Sequence, residues 1–319
     1  MEMEMMSCAQ LKSVVTRKDA LEAARVAFTR EVVQQPDVVQ LLFPNRDGEV
    51  CIKAAQLADS KVYVMKMASG FQANSAQGLP TGSGMMIVGC AITGKVLAVL
   101  MDDGWLTDLR TAAAGALAVQ ELAVAKPKLN VAVLGSGVQA KMQFEALMDV
   151  RKVGRVRVWS RTSENAAKYV RWVLHRVGVS DVSVSGTPAE AVTGADVILC
   201  CTSAHTALIS ARDLSPGVTV IAIGADTPGK QEVHEDVFAA CVASGGKIVC
   251  DKIEQCSRLG DLQHCTAADI EQAVELSSVM NRSVSGRESD DAMIIVDLTG
   301  MGAQDAAIAE FAYDRIVNK

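Results

Sequence analysis

Residues Val131–Ala140 read VAVLGSGVQA: an apolar run, then Gly135-Ser136-Gly137-Val138-Gln139-Ala140. The run has the composition of a buried strand, and the six residues after it fit G-x-G-x-x-A at a strand-to-helix turn. Gly135 permits the tight turn, Gly137 lets the backbone approach a pyrophosphate, and Ala140 allows the helix to pack on the strand. Val138 and Gln139 open that helix, whose free N–H groups and dipole favour phosphate. The motif alone is weak; its surroundings give it weight. Strand candidates recur at Arg155–Trp159, Val182–Val184, Asp196–Cys201, Val218–Ile223 and Lys247–Cys250. Helical segments lie between them at Gln139–Val150, Ser163–Val177 and Pro188–Val192. Such alternation predicts an α/β fold with a Rossmann domain, a doubly wound parallel sheet holding a dinucleotide.

The end of the second strand selects the dinucleotide. An NAD site usually places Asp or Glu there, about 20 residues after the glycines, to bind ribose hydroxyls. Here Ser160 fills that slot, followed by Arg161 and Thr162. An arginine suits a 2′-phosphate, and no acid is present to repel it. NADP(H) is therefore favoured, with NAD(H) the other possibility.

Upstream, Asp19–Phe28 reads as an amphipathic helix with Ala20, Ala23, Ala24 and Ala27 on one face. Val62–Met67, Met85–Ala91 and Lys95–Met101 read as strands, with Gly94 turning a hairpin between the last two. Thr107 is the expected cap of an alanine-rich helix over Asp108–Ala125, which Lys126-Pro127 ends. The tail from Asp297 carries a glycine turn and a helix over Gln304–Val317. These breaks put a Rossmann domain at 126–296 and a second, α+β domain at 1–125 with 297–319.

Composition narrows the class. The 319 residues carry 31 Lys+Arg against 37 Asp+Glu, a net charge of −6 with no basic block, which argues against nucleic-acid binding. No apolar run approaches the ~18 residues of a membrane span, and the MEMEMMSCAQ start has no secretory apolar region. The nine cysteines are odd in number and contain no C-x-x-C pair. They read as reduced thiols of a cytoplasmic protein rather than disulfides or zinc ligands. The four histidines form no H-x-x-x-H pair, and no metal site is expected.

With these residues set out, the chain resembles the ornithine cyclodeaminase/μ-crystallin family from about Lys61 to its C-terminus. The resemblance is carried by Lys66 in VMKMASGF, by Asn74, and by Gly78-Leu79-Pro80-Thr81. Leu106-Thr107 with Arg110-Thr111-Ala112-Ala113, the GSGVQA turn, Ala195-Asp196-Val197-Ile198 and Gly224-Ala225-Asp226-Thr227-Pro228-Gly229-Lys230 continue it. GADTPGKQE and GRESDD are similar to archaeal-type alanine dehydrogenases, and VWSRTSENA to μ-crystallin, an NADPH-linked ketimine reductase. The family implies a homodimer whose dimerisation and substrate domain is built from both chain ends.

By position, the resemblance implies that Lys66 and Arg110 hold a substrate carboxylate and that Thr81 lines the same pocket. It implies that Asp226 contacts the substrate amine and relays protons, so that Asp226 and Lys66 are the catalytic candidates. Arg110, Thr111, Thr202, Gly224 and Lys230 fall at cofactor-contacting positions. The chain also departs from the family. The arginine that many members carry shortly after a proline is absent, since Asp37-Val38 follow Pro36; Arg46 and Lys53 are the candidates to replace it. Lys53-Ala54 stands where many members have Met-Pro, and Leu298 where a serine often meets the cofactor, leaving Thr299 as the neighbouring hydroxyl.

The resulting expectation is an NAD(P)H-dependent oxidoreductase at a C–N bond, reducing a small cyclic or linear α-imino acid or oxidising the matching amino acid. Ornithine cyclodeamination to proline and ammonia, or alanine dehydrogenation, is the second reading, and a non-enzymatic μ-crystallin-like binding protein is the third.

Overall fold

The computed structural model describes residues 3–317. The chain divides into two compact units, one formed up to Ala114 and again from Met301, the other by Gly115–Gly300. The first division falls inside a helix, Trp105–Leu122, ahead of the Lys126-Pro127 break.

The first unit is built on a seven-stranded sheet. Its strands are β1 (Glu4–Ser7), β2 (Val32–Gln34), β3 (Val39–Phe43), β4 (Gly48–Leu57), β5 (Val62–Phe71), β6 (Gly82–Cys90) and β7 (Val96–Met101). The order is β1-β7-β6-β5-β4-β2, with β3 also paired to β4, and every pair but β1–β7 is antiparallel. Side chains alternate across a strand. Ala55 and Leu57 of β4, Val62 and Val64 of β5, Met86 and Val88 of β6, and Ala98 and Leu100 of β7 are buried. The helices Arg17–Thr29 and Gly302–Val317 pack on each other, and the second lies on β4 and β5. Thr16 and Asp19 close a reciprocal capping box at the start of the first helix. Arg315 pairs with Asp19 at 2.7 Å, joining the two helices by charge.

The second unit holds β8 (Leu129–Leu134), β9 (Val153–Trp159), β10 (Asp181–Val184), β11 (Val197–Cys200), β12 (His205–Ile209), β13 (Thr219–Ala222), β14 (Gln231–Val233), β15 (Lys247–Cys250), β16 (Val274–Glu275) and β17 (Ile294–Asp297). Eight of them form one parallel sheet in the order β10-β9-β8-β11-β13-β17-β15-β16. From β8 the chain moves to β9 and β10 on one side and to β11 and β13 on the other, with the late strand β17 inserted before β15 and β16. The reversal at β8–β11 marks a ligand crevice in open α/β sheets. The fold is therefore α/β, a Rossmann-type parallel sheet together with a second, α+β unit.

Three local readings differ from the sequence expectation. The alanine-rich helix spans Trp105–Leu122, so Thr107 is inside it rather than its cap. Asp102 takes that task, accepting the Leu106 N–H at 2.7 Å. Ser163–Val177 is helical only to Trp172 in α form and closes with a wider turn over Val173–Val177 that ends on Gly178. Finally, β17 lies between β13 and β15 in the middle of the sheet, a segment the sequence reading left without structure.

Candidate functional site

Strand alternation buries two lysines. In β4, Lys53 shares the inward face with Ala55 and Leu57; in β5, Lys66 shares it with Val62 and Val64. Lys53 and Lys66 are direct cross-strand partners. Both are under a tenth exposed, a costly position for an ammonium. The compensation comes from the last helix. Asp305, in its first turn, lies 3.2 Å from Lys66 Nζ and 2.9 Å from Arg110 Nε. The Arg110 contact is a close charge pairing rather than an aligned hydrogen bond. Arg110 also donates from Nη1 to Gln304 Oε1 at 2.9 Å, and that oxygen accepts the Met301 N–H at 2.9 Å. Gln35 accepts the Ala303 N–H at 2.9 Å, so the helix start is held by side chains from well outside it.

The charge balance shows in the titration of these groups. Burial pushes the Lys66 ammonium down to about 8; Asp305 opposes this, while Arg110 and Lys53 add to it. Burial acts to raise Asp305, but Arg110, Lys66 and Lys53 outweigh it and hold the carboxyl below its ordinary value. The cluster is thus a carboxylate surrounded by cations.

In the second unit, Gly135 adopts φ +113°, and a Cβ there would collide with the Cys201 carbonyl. Only glycine serves at that turn. Gly137 has open space where a Cβ would be and caps the helix Val138–Val150 without a side-chain hydrogen bond, while Val138 is 59% exposed. An open, uncapped helix start behind a parallel strand fits a dinucleotide pyrophosphate. Ser160 shares a 2.8 Å hydroxyl hydrogen bond with Ser136, and Arg161 is exposed with no partner among the described residues. Thr162 stands at the start of Ser163–Trp172 without a side-chain capping bond.

The loops after β11 and β13 are tied by Glu232, which is fully buried. Its Oε1 accepts from Thr202 N at 2.5 Å and Thr202 Oγ1 at 2.7 Å, and its Oε2 from Gly224 N at 2.7 Å. Asp261 in turn accepts the N–H groups of Glu232 and Val233 at 2.8 and 3.0 Å. Burial and the Asp261 charge push Glu232 upward, against the donors that favour its carboxylate. Asp226 pairs with Lys230 at 2.6 Å, its own side chain 42% exposed.

The whole chain, residues 1–319, matches the model of the family described as "Ornithine cyclodeaminase/mu-crystallin family". The chain belongs to that family. Among relatives, it is 34% identical to an uncharacterized cyclodeaminase of Sinorhizobium fredii, over 96% of this chain and 91% of that one. It is 30% identical to the alanine dehydrogenase of Archaeoglobus fulgidus, over 100% and 97%. It is 29% identical to the ketimine reductase mu-crystallin of Rattus norvegicus, over 92% and 90%. Among solved structures, an archaeal alanine dehydrogenase dimer with bound NAD superposes with a TM-score of 0.88 at 30% identity, covering 100% of this chain and 97% of that one. The iminosuccinate reductase of Paracoccus denitrificans in complex with NAD+ does so with 0.84 at 25%, covering 99% and 97%.

Against this family background, the structure gathers Lys66 and Arg110 but sets Thr81 apart from them in the ladder. Thr81 precedes the first residue of β6, opposite Phe71, whereas Lys66 pairs with Met86. Thr111 donates its hydroxyl to the Thr107 carbonyl at 2.8 Å. The Thr299 hydroxyl sits in a buried network, accepting from Gln255 at 2.8 Å and donating to Asp251 at 3.2 Å. Arg46 is exposed on the turn Pro44–Arg46, whereas Lys53 is buried and its charge acts on Asp305. Sequence reading missed Asp305, Gln304 and Glu232. The Gln304-Asp305 pair in the otherwise apolar first half of the last helix, 302–309, was the available signal for the first two. Glu232 had only its place next to Lys230-Gln231.

All nine cysteines are free thiols, with Cys200, Cys241, Cys250 and Cys256 buried. Among the described residues, no group of three or more His, Cys, Asp or Glu side chains is arranged to hold a metal, and no helix is long and apolar enough to cross a membrane.

Proposed function

We propose that this protein is an NAD(P)H-dependent oxidoreductase at a carbon–nitrogen bond, interconverting a small α-imino acid and its amino acid. The observation that carries the reading is the buried Lys66–Arg110–Asp305 cluster in a chain that also has the glycine turn of a dinucleotide site. Gly135, Gly137, Val138 and Gln139 would hold a nicotinamide dinucleotide at that turn, which in its reduced form would supply the hydride for the imine carbon. The protein's own residues do the rest.

Lys66 and Arg110 hold the substrate carboxylate by charge-assisted hydrogen bonds, which fix the orientation of the α-carbon. Asp305 keeps both cations in place without competing as a free acid. Asp226 steadies the iminium charge and hands on the proton, and Lys230 holds its carboxylate in place at 2.6 Å. Gly135, Gly137, Val138 and Gln139 receive the pyrophosphate, with Thr111 as its further contact. Thr202, Gly224 and Lys230 shape the loops toward the nicotinamide end, and Thr81 and Thr299 are the remaining hydroxyl candidates. The uncommitted Arg161 beside Ser160 and Thr162 favours the 2′-phosphate of NADP(H) over NAD(H).

We also propose a homodimer of the first unit. The outward face of its sheet carries Val39, Leu41, Met65 and Met67, all 40–54% exposed. Register puts Val39 beside Ile52, Ile52 beside Met67, and Leu41 beside Val50, so these residues form one apolar surface. A contiguous apolar face of this kind marks an interface, here taken by a second copy.

The experiment is purified protein with NADPH or NADH and a panel of cyclic and linear imino acids, followed at the reduced-nicotinamide absorbance, with ornithine plus NAD+ assayed for proline. Cofactor oxidation by an imino acid supports the reading. Proline formation without net cofactor change replaces it with cyclodeamination.

A further inference from the structure

The stretch 224–230, which carries Asp226, forms neither helix nor strand, so its backbone polar groups must find partners elsewhere. Pro228 has no N–H, and Gly229 turns the chain with φ +82°. One internal bond, from Lys230 N to Thr227 O at 3.3 Å, closes the turn. Side chains from outside hold it further. Gln263 Oε1 accepts the Gly229 N–H at 2.8 Å, and Gln263 Nε2 donates to the Thr227 and Lys230 carbonyls, each at 3.3 Å. His264 Nε2 donates to the same Lys230 carbonyl at 2.8 Å, and His205 Nδ1 meets the Gly229 carbonyl at 3.0 Å. Gln263 thus meets three backbone groups of the turn, where each histidine meets one. Its amide fits in one orientation only. Reversed, its oxygen would face three carbonyls, that of Gly260 included, and its NH2 would face the Gly229 N–H.

These contacts start from a firm base. Gln263 and His264 belong to the short turn Asp261–His264. Its Leu262 N–H donates at 2.9 Å to Asp297 Oδ2, at the end of β17 in the parallel sheet, and a Cβ at Gly260 would collide with that carboxyl. Lys230 carries the hold onward. Its carbonyl is gripped by Gln263 and His264, and its Nζ lies 2.6 Å from Asp226 Oδ1.

We propose that Gln263 is a positioning residue for the reaction: its amide fixes the turn 227–230 and, through Lys230, the place of the Asp226 carboxylate. This rests on the role given to Asp226 above. Gln263 touches no reacting atom. It keeps the carboxylate where the proton is passed, and a misplacement of ~1 Å is enough to cost ~100-fold in rate.

The test is a double-mutant cycle of Gln263→Met with Asp226→Asn, read as kcat and KM with the fastest imino acid of the panel above. Methionine keeps the length of the side chain and removes both donor and acceptor. The expected result for Gln263→Met is a kcat lower by ~10–100-fold, with KM for cofactor and imino acid within ~3-fold of wild type. In the Asp226→Asn background the same change lowers kcat by less than ~3-fold, because the group it positions is already gone. A kcat within ~2-fold of wild type, or losses that multiply in the double variant, overturns the proposal. Gln263→Glu keeps the length and the acceptor and loses the donors; it gives the same pattern and serves where methionine unfolds the chain. A second readout needs no turnover. The Gly229 N–H is held by Gln263, so Gln263→Met speeds its amide exchange by ~10-fold or more. If the wild type reduces no imino acid, or Asp226→Asn is as fast as wild type, the reading of Asp226 fails. Exchange then decides the clamp by itself: a faster Gly229 amide supports it, and an unchanged one overturns it.

Discussion

Replacing Asp305 by asparagine removes one charge and almost no volume, which isolates the electrostatics of the cluster. The gross attractions are large. At 3.2 and 2.9 Å, and an effective dielectric of ~20, Lys66 and Arg110 are each drawn to Asp305 by about 5–6 kcal/mol. Relaxation, water entry and loss of the Lys66 proton offset much of this. Removing one partner of a buried pair costs ~3–5 kcal/mol, which at ~2–4 °C per kcal/mol predicts a melting temperature about 6–20 °C lower. The pH dependence is the sharper signature. The Lys66 pKa in the folded protein is lowered from 10.5 to about 8, so between those values the unfolded state binds more protons and stability rises with pH. The Asp305→Asn change leaves Arg110 and Lys53 acting on Lys66 without the opposing carboxylate and pushes Lys66 lower still. The stability deficit of the variant then narrows as pH rises toward about 8. The alkaline fall in kcat/KM, expected near 8 as Lys66 loses the charge that binds carboxylate, moves to lower pH. Melting curves at pH 6, 7 and 9 with a pH–rate profile measure both. A melting temperature within ~1 °C of wild type at all three, with an unmoved alkaline limb, would refute the account of Asp305 as counter-ion.

Three other outcomes follow from particular contacts. Glu232→Gln puts an amide N–H against the backbone donors of Thr202 or Gly224, and dinucleotide affinity should weaken ~10-fold or more; unchanged affinity by fluorescence titration would remove Glu232 from the cofactor loops. Arg161→Ala should raise the dissociation constant for NADPH ~10-fold while leaving that for NADH near its starting value, and an equal effect on both would end the 2′-phosphate argument. Met67→Glu places a charge on the apolar outer sheet face and should shift the protein to monomer by light scattering; a retained dimer would mean that another surface holds the copies together.

The Rossmann half of the chain was legible because its signals are local. Val131–Ala140 holds strand, turn and helix within ten residues, and the structure forms them there, with β8 at Leu129–Leu134 and the helix from Val138. Hairpin β6–β7 was legible for the same reason, its turn at Gly94 having φ +72°. By contrast, β17 is four residues without flanking periodicity, and it acquires strand identity only between β13 and β15. Asp305 was illegible for a related reason. A carboxylate in the first turn of a helix reads locally as a dipole partner, and only the fold brings it to Lys66 and Arg110, which are remote in sequence.

Lys66 was more readable than a lone lysine on a strand usually is. In VYVMKMASGF, alternation puts Val62, Val64 and Lys66 on one face and Met65 and Met67 on the other. A solvated lysine would have the opposite phase, sharing its face with polar residues while the methionines packed inside. The same inversion occurs across the ladder, where Lys53 faces inward and Val50 and Ile52 outward. Two neighbouring strands that turn lysines into the core and apolar residues away from it cannot be explained by burial of one unit alone. The inward lysines require a counter-anion, supplied in part by Asp305, and the outward methionines and branched residues require a cover. One two-residue period thus underlies both the proposed anion site and the proposed interface, on opposite faces of the same sheet. Moving either strand by one residue would exchange the faces and lose both.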